Sequence, residues 1–187
     1  MKKLFLTSIF AFLALVSSAA TFDLGIKGGI NTSSLPTSTS SFSAASRGGY
    51  NFGAFGRFGG KRLYFQPEFL YFTNKSDITA NNVKDAVTMK SIQVPALLGL
   101  TLLNLKVASL HVFTGPALSF SSGYDSSQNL NYNVKNSSVD YQLGAGLDVL
   151  IFTFDMRYSW GMNDKLSNSY FSSKVNSFCV SLGIKFL

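Results

Sequence analysis

The sequence predicts an all-β protein: an eight-stranded antiparallel up-and-down barrel that crosses a membrane and has a filled polar interior. Apolar and polar residues alternate in segments of about ten residues, the length that a tilted strand needs to cross a bilayer. Only 13% of the residues are charged, against about 25% in ordinary soluble domains. Long polar connections alternate with tight turns along the chain, which is typical of membrane barrels.

The clearest alternation runs from Val139 to Trp160, with one break at Leu150 and Ile151. One face of this segment is wholly apolar, and the other is polar, charged or glycine. Because the side chains of a strand point alternately to opposite faces, the segment predicts a hairpin of two amphipathic strands.

Six further segments show the same period and are predicted as strands, over residues 22–31, 48–58, 63–72, 91–100, 109–120 and 175–186. The intervening sequence predicts long polar loops at 32–47, 73–90, 121–138 and 161–174, and an unusually apolar connection at 101–108. Pro67, Pro95 and Pro116 fall inside predicted strands, where each removes a hydrogen-bond donor, so they suggest local bulges. An even number of strands places both chain ends at the short-turn end of the barrel.

The two faces of the predicted strands differ in charge. The apolar face carries no Lys, Arg, Asp or Glu. The opposite face is predicted to form an interior polar network of five acids and four bases: Asp23, Lys27, Arg57, Glu68, Asp140, Asp148, Asp155, Arg157 and Lys185. A soluble ligand-binding barrel would show the same alternation with the faces reversed. However, its outer face would hold mostly Lys and Glu, whereas this polar face is rich in glycine and small residues.

Aromatic residues on the apolar face cluster toward the strand ends, as interfacial girdles do. The girdle near the short turns is predicted to comprise Phe58, Phe65, Phe152, Phe154 and Phe186. The girdle near the long loops is predicted to comprise Tyr50, Phe69, Tyr71, Phe120, Tyr141, Tyr158 and Trp160. The apolar face is therefore expected to contact outer-membrane lipid.

The N-terminus predicts a signal peptide over residues 1–20, followed by the barrel domain over residues 21–187. Met1-Lys2-Lys3 is a basic start, residues 4–16 are mostly apolar, and residues 17–20 are small, which is the pattern of a cleavable segment. The net charge of +7 is spread along the chain, so we expect no nucleic-acid partner. One His and one Cys do not make a zinc site, and we expect no cofactor.

Three segments resemble a known family: Gly25-Ile26-Lys27-Gly28-Gly29-Ile30-Asn31, Ile92-Gln93-Val94-Pro95-Ala96-Leu97-Leu98, and Gly115-Pro116. They are similar to the PorT-type outer-membrane β-barrel domain of Bacteroidota. The resemblance implies an eight-stranded barrel without catalytic residues, and for some members a link to type IX protein secretion. The chain departs from the usual aromatic C-terminus of such barrels, since Phe186 is penultimate and Leu187 follows. The alternating row that ends at Phe186 still predicts recognition by the barrel assembly machinery.

Function is expected to be non-enzymatic, with the chain in the cell outer membrane, its ends in the periplasm and the barrel a monomer. The single histidine, His111, is interpreted as a hydrogen-bonded interior residue, and catalysis at His111 is the weaker alternative. The interior charges predict a structural ion-pair network rather than a solute pathway, because eight strands enclose a space that side chains fill. The expected role is that of an envelope structural or interaction protein working through its loops, or of an accessory to a secretion assembly. Candidate contacts are the loop aromatics Tyr124, Tyr132, Tyr170 and Phe171, which suit an envelope or extracellular protein and equally suit lipopolysaccharide sugars. A narrow channel or carrier is the second hypothesis, and a membrane-embedded lipid-modifying enzyme the third.

Overall fold

The computed structural model describes residues 21–34, 42–60, 62–80, 83–105, 107–126, 137–162, 166–168, 171–173 and 176–186. No helix within these residues is long and apolar enough to cross a membrane. The described strands are β1 (Thr21–Ser34), β2 (Phe42–Gly59), β3 (Leu63–Ala80), β4 (Val83–Asn104), β5 (Ala108–Ser126), β6 (Ser137–Val149), β7 (Phe152–Gly161), β8 (Leu166–Asn168), β9 (Phe171–Ser173) and β10 (Asn176–Lys185).

Eight of these strands form a closed antiparallel barrel in the order β1-β2-β3-β4-β5-β6-β7-β10, and β8 pairs with β9 as a separate two-stranded sheet. Each barrel strand therefore pairs with its neighbour in sequence, and β10 closes the sheet against β1. The predicted eight-stranded up-and-down barrel is confirmed. Because closure removes both sheet edges, every strand within the membrane has a partner on each side.

The strand register fixes the tilt of the barrel. When paired residues are followed from strand to strand once around the barrel, the path starts at Phe22 of β1 and comes back to β1 at Thr32, ten residues further along the strand. That path passes through Phe22, Phe58, Phe65, Leu98, Thr114, Leu143, Tyr158, Phe178 and Thr32. A stagger of this size in eight strands corresponds to a tilt of about 40° and to an interior that side chains fill.

Both ends of the barrel sequence lie at the short-turn end. Gly25 of β1 pairs with Lys185 of β10, and the Phe186 amide donates to the Leu24 carbonyl over 2.7 Å. The β6–β7 turn lies at the same end, where Leu150 adopts a φ of 54°.

The faces lie as the alternation predicts. Along β7, every second residue from Phe152 to Trp160 is exposed on the outer surface, and the residues between them are buried. Girdle residues pack against each other on the outer wall: Phe22 and Phe58 ring centroids lie 4.8 Å apart, as do those of Tyr158 and Trp160. The outer wall is apolar, and the barrel core is polar.

Several strand boundaries differ from the sequence-based expectation. The predicted long loop at 73–90 is wrong, since β3 continues to Ala80 and β4 starts at Val83. The predicted loop at 161–174 contains β8 and β9. Polar residues outside the membrane can extend a sheet without an apolar face, which removes the alternation on which boundary prediction depends.

The expected bulges at the prolines are also wrong. The register shifts lie between Ser46 and Gly48, between Lys90 and Ser91, and between Thr101 and Leu103. Pro116 pairs with Tyr141 in an unbroken register. The last shift lies in the apolar connection at 101–108, in which β4 runs on to Asn104.

The outer wall predicts that a charged and an apolar substitution at the same lipid-facing position differ strongly in their cost to stability. Met156 lies midway along β7 and faces outward. We expect Met156→Arg to destabilise the folded barrel by about 2–4 kcal/mol, because it places a charge in hydrocarbon near the bilayer centre. Urea unfolding in lipid vesicles measures this loss. Met156→Leu is the control and should cost less than about 1.5 kcal/mol; equal stability of both variants would contradict a lipid-facing wall.

Candidate functional site

A buried carboxylate joins three strands at the middle of the barrel. Glu68 of β3 accepts a hydrogen bond from Lys27 Nζ of β1 over 2.7 Å. It also accepts two from Arg157 of β7, through Nη1 at 2.8 Å and Nη2 at 3.1 Å. Lys27 Nζ donates in turn to Asp155 Oδ2 over 2.8 Å. Lys27, Glu68, Asp155 and Arg157, which we call the middle cluster, thus hold strands that are not neighbours in the sheet.

A second group of charges lies at the short-turn end. Asp148 accepts from Arg57 Nη1 over 2.5 Å and from Lys185 Nζ over 3.1 Å. Lys185 Nζ also lies 3.8 Å from Asp23 Oδ2. Asp23, Arg57, Asp148 and Lys185 form this end cluster, whose members Asp23 and Lys185 are only half-buried.

Two further side chains, Gln66 and His111, connect the clusters. Gln66 accepts from Arg57 Nε over 2.8 Å and donates to Glu68 Oε1 over 2.6 Å. His111 lies with Nε2 3.3 Å from Asp155 Oδ1 and with Nδ1 3.9 Å from Asp148 Oδ1. Polar contacts therefore connect the short-turn end to the middle of the barrel, through Gln66 and His111.

Aromatic rings lie beside three of the four cations of the clusters. Lys27 Nζ lies 4.9 Å from the centroid of the Phe55 ring. The guanidinium carbons of Arg57 and Arg157 lie 4.5 and 5.5 Å from the Tyr64 and Phe113 centroids, respectively. These rings need glycine on the facing strands: a Cβ added at Gly144 would lie 2.4 Å from the Phe113 ring. Gly144 therefore leaves room for the inward-pointing Phe113 ring.

The half of the interior toward the long loops is polar and mostly neutral. Asn31 donates to the Asn74 side-chain oxygen, and Asn51 Nδ2 donates to Asn31 Oδ1 over 3.5 Å and to Cys179 Sγ over 3.2 Å. Asp140 accepts from Ser119 Oγ over 2.8 Å. Among the described residues, charge is therefore concentrated in the half of the barrel toward the short turns.

The structure places all nine predicted interior residues inside the barrel, in different groups. Eight belong to the middle and end clusters, while Asp140 lies near the long-loop end outside them. Sequence reasoning missed the connecting role of Gln66 and the contact of Gln142 Oε1 with Arg157 Nη1 at 3.2 Å. Their only sequence signal is an inward position on an alternating strand.

The loop aromatics cannot be placed in the same way. Tyr132 and Tyr170 lie outside the described residues, and the structure describes only the backbone of Tyr124 and Phe171. Tyr124 belongs to β5 and pairs with Met89 of β4, and Phe171 belongs to β9 and pairs with Asn168.

Ion pairs within the two clusters link strands across the interior of the barrel. A buried charge is tolerated only when it is paired and hydrogen-bonded, and each charge of the middle cluster has an opposite charge within 2.8 Å. His111 is buried, and the centroids of the Tyr64 and Phe113 rings lie 5.8 and 5.9 Å from its own. Within the described part of the chain, no group of three or more His, Cys, Asp or Glu residues is arranged to hold a metal ion.

A closed eight-stranded barrel with a lipid-facing wall and buried ion pairs defines a membrane-spanning β-barrel protein. The chain belongs to the family described as outer membrane protein beta-barrel domain, whose model matches residues 16–167. Membership supports a location in the outer membrane. No curated protein matches the sequence significantly.

Solved structures show the same fold at low sequence identity. OprG from Pseudomonas aeruginosa has a TM-score of 0.60 at 13% identity, with 91% of this chain and 99% of that chain covered. Neisserial surface protein A (NspA) has a TM-score of 0.56 at 12% identity, with 90% and 100% covered. Ail of Yersinia pestis, in complex with the heparin analogue sucrose octasulfate, has a TM-score of 0.52 at 15% identity, with 88% and 99% covered.

The middle cluster predicts that one neutral substitution is costly. Glu68→Gln removes the only carboxylate that hydrogen-bonds to Arg157 among the described contacts, and leaves a buried cation. We expect a loss of about 3–5 kcal/mol in the free energy of unfolding, measured by urea titration in vesicles. Asp23→Asn, at the half-buried end of the network, is the control and should cost about 1 kcal/mol or less.

A double variant tests the cause of that loss. Combining Glu68→Gln with Arg157→Met removes the cation together with its partner, so the double variant should be more stable than Glu68→Gln alone. Simple addition of the two single losses would show that ion pairing is not the source of the stability.

Proposed function

We propose that this outer-membrane barrel is non-enzymatic and works by binding an envelope or extracellular partner at its long-loop end. The observation that carries the proposal is a wall of four strands that extends beyond the aromatic girdle. β3 runs nine residues past Tyr71 to Ala80, and β4 returns from Val83. At about 3.3 Å per residue and a tilt of about 40°, this hairpin projects about 20 Å beyond the girdle.

Within the described residues, the projection lies on one side of the barrel. β2 starts at Phe42, eight residues before Tyr50, and β5 ends at Ser126, six residues after Phe120. On the other side, β7 ends at Gly161, directly after Trp160. A sheet outside the membrane has no lipid to cover it, so it presents its faces to other molecules, which favours an interaction surface.

The filled interior favours binding over transport. Phe55, Leu70, Leu97 and Phe113 point inward and are buried at different heights, and the clusters occupy the space between Phe55 and Phe113. A narrow channel or carrier remains the second candidate, because polar residues line the long-loop half.

The accessory role in secretion, the export of the chain, the position of its termini and its monomeric state are proposed from the sequence. The PorT-type resemblance supports a role as an accessory to a secretion assembly, with the partner in that case a component of the assembly. The predicted signal peptide over residues 1–20, which lies outside the described residues, supports export. Export to the outer membrane, with both barrel ends at the short-turn end, supports periplasmic termini. Monomeric assembly is part of the same proposal.

Crosslinking in intact cells tests the binding role. A photoreactive amino acid at Tyr124, Tyr132, Tyr170 or Phe171 should give discrete protein adducts, whereas the same amino acid at Phe152, in the opposite girdle, should not. Ser76 pairs with Val87, so residues 76–87 can be replaced by a two-residue Asn-Gly turn that closes the hairpin at Lys75 and Thr88. The shortened chain should still fold as a heat-modifiable barrel but should lose the adducts. Adducts that persist unchanged without the hairpin would contradict the proposed surface.

Planar-bilayer recording separates the binding role from transport. We expect the refolded full chain to give no stable single-channel steps, because buried rings and ion pairs occupy the barrel interior. The heat-denatured preparation in the same detergent is the control. Stable steps that appear with the refolded chain alone would support the channel instead.

A further inference from the structure

A groove of about 390 Å³ is cut into the outer wall of the barrel where β1, β2 and β10 meet. It is lined by Ile30, Asn31, Thr32, Gly48, Gly49, Phe178 and Val180. Its volume lies within the range of about 300–1,000 Å³ that is usual for ligand sites.

The groove arises from the way that β1 and β2 part. Within the described residues, their pairing ends at Asn31 and Gly49. Beyond that pair, β1 stays with β10 as far as Ser34, while β2 stays with β3 and shifts register between Ser46 and Gly48. Gly48 has a φ of 77°, a conformation that residues with a Cβ rarely adopt. The turn away from β1 is therefore built into the sequence.

The walls of the groove are apolar and the lining carries no formal charge. Ile30 is 70% exposed, and Phe178 is 42% exposed, both on the lipid-facing side. The amide of Asn31 already bonds to Asn51 and Asn74, so the groove requires no polar ligand atom there. These features fit a neutral hydrocarbon chain.

The position of the groove in the membrane selects its occupant. Ile30 pairs with Tyr50, and Phe178 pairs with Tyr158, and both tyrosines belong to the girdle near the long loops. A site level with an aromatic girdle lies at the membrane–water interface, at the outer edge of the hydrocarbon, where lipid tails meet their headgroups. We propose that the groove binds one acyl chain of a membrane lipid, taken from the leaflet that meets the long-loop end.

Photolabelling tests this site in the full chain. The refolded protein is placed in vesicles of phosphatidylethanolamine and phosphatidylglycerol with a phosphatidylethanolamine that carries a diazirine on one acyl chain. We expect labelling to concentrate on peptides that contain Ile30, Phe178 and Val180, above the level at Val94. Val94 lies on β4, opposite β10 in the barrel order. Equal labelling of the groove and of Val94 would overturn the proposal.

A matched pair of variants tests whether the photolabelling depends on the groove. Val180→Trp fills the groove, and we expect its labelling to fall more than about tenfold, because each methylene displaced from an apolar site weakens binding about fourfold. Val94→Trp makes the same change on the opposite wall and should leave the groove labelling unchanged. Equal losses in the two variants would contradict a specific site. If Val180→Trp fails the heat-modifiability test for folding, Ile30→Trp fills the groove from β1 and carries the same expectation.

Labelling with a free fatty acid tests whether the bound acyl chain belongs to a membrane lipid or to a fatty acid. A diazirine-bearing fatty acid in the same vesicles should label the groove less than the lipid does, because the lining offers no cation for its carboxylate. Stronger labelling by the fatty acid would show that the occupant is not a membrane lipid.

Discussion

The closure of the sheet between β1 and β10 is the constraint on which the rest of the structure depends. Hydrocarbon offers no partner for a backbone amide or carbonyl, so a sheet can cross a membrane only without open edges. Ten consecutive pairs, from Gly25–Lys185 to Ser34–Asn176, make this closure. Once the sheet is closed, one face of every strand must meet lipid and the other must fill a narrow space.

That space reverses the usual arrangement of a soluble protein. Its core holds ion pairs and amides packed among a few buried rings and leucines, while most of the large apolar side chains lie outside. Because the interior holds little water, each charge must meet an opposite charge or a donor within the barrel. Glu68 meets this need for Lys27 and Arg157 together, and the two connecting residues, Gln66 and His111, bring the end cluster into the same network. The interior thus holds the strands rigidly and leaves recognition to the surfaces: the projecting sheet beyond the girdle and the groove in the wall.

The part of the fold that the bilayer dictates could be predicted from the sequence. Alternation between Phe152 and Trp160 gave the faces of β7 residue by residue, because a lipid-facing position tolerates no charge. The same rule failed where the bilayer ends. Residues 76–80 and 83–87 pair as strands, yet Asp77, Lys84 and Asp85 interrupt their alternation of apolar and polar residues. For that reason the projecting hairpin was mistaken for a loop.

The sequence by itself determined which side chains point inward, because the period of a strand and the absence of charge from one face leave a single solution in lipid. It could not determine which of them meet. Lys27, Glu68 and Arg157 lie on β1, β3 and β7, none of which are neighbours in the barrel. Their contact depends on the ten-residue stagger between Phe22 and Thr32 on β1, which sets the height of every residue along the barrel axis. That stagger is fixed by hydrogen bonds between all eight strands together, so only the closed tertiary structure decides which charges become partners.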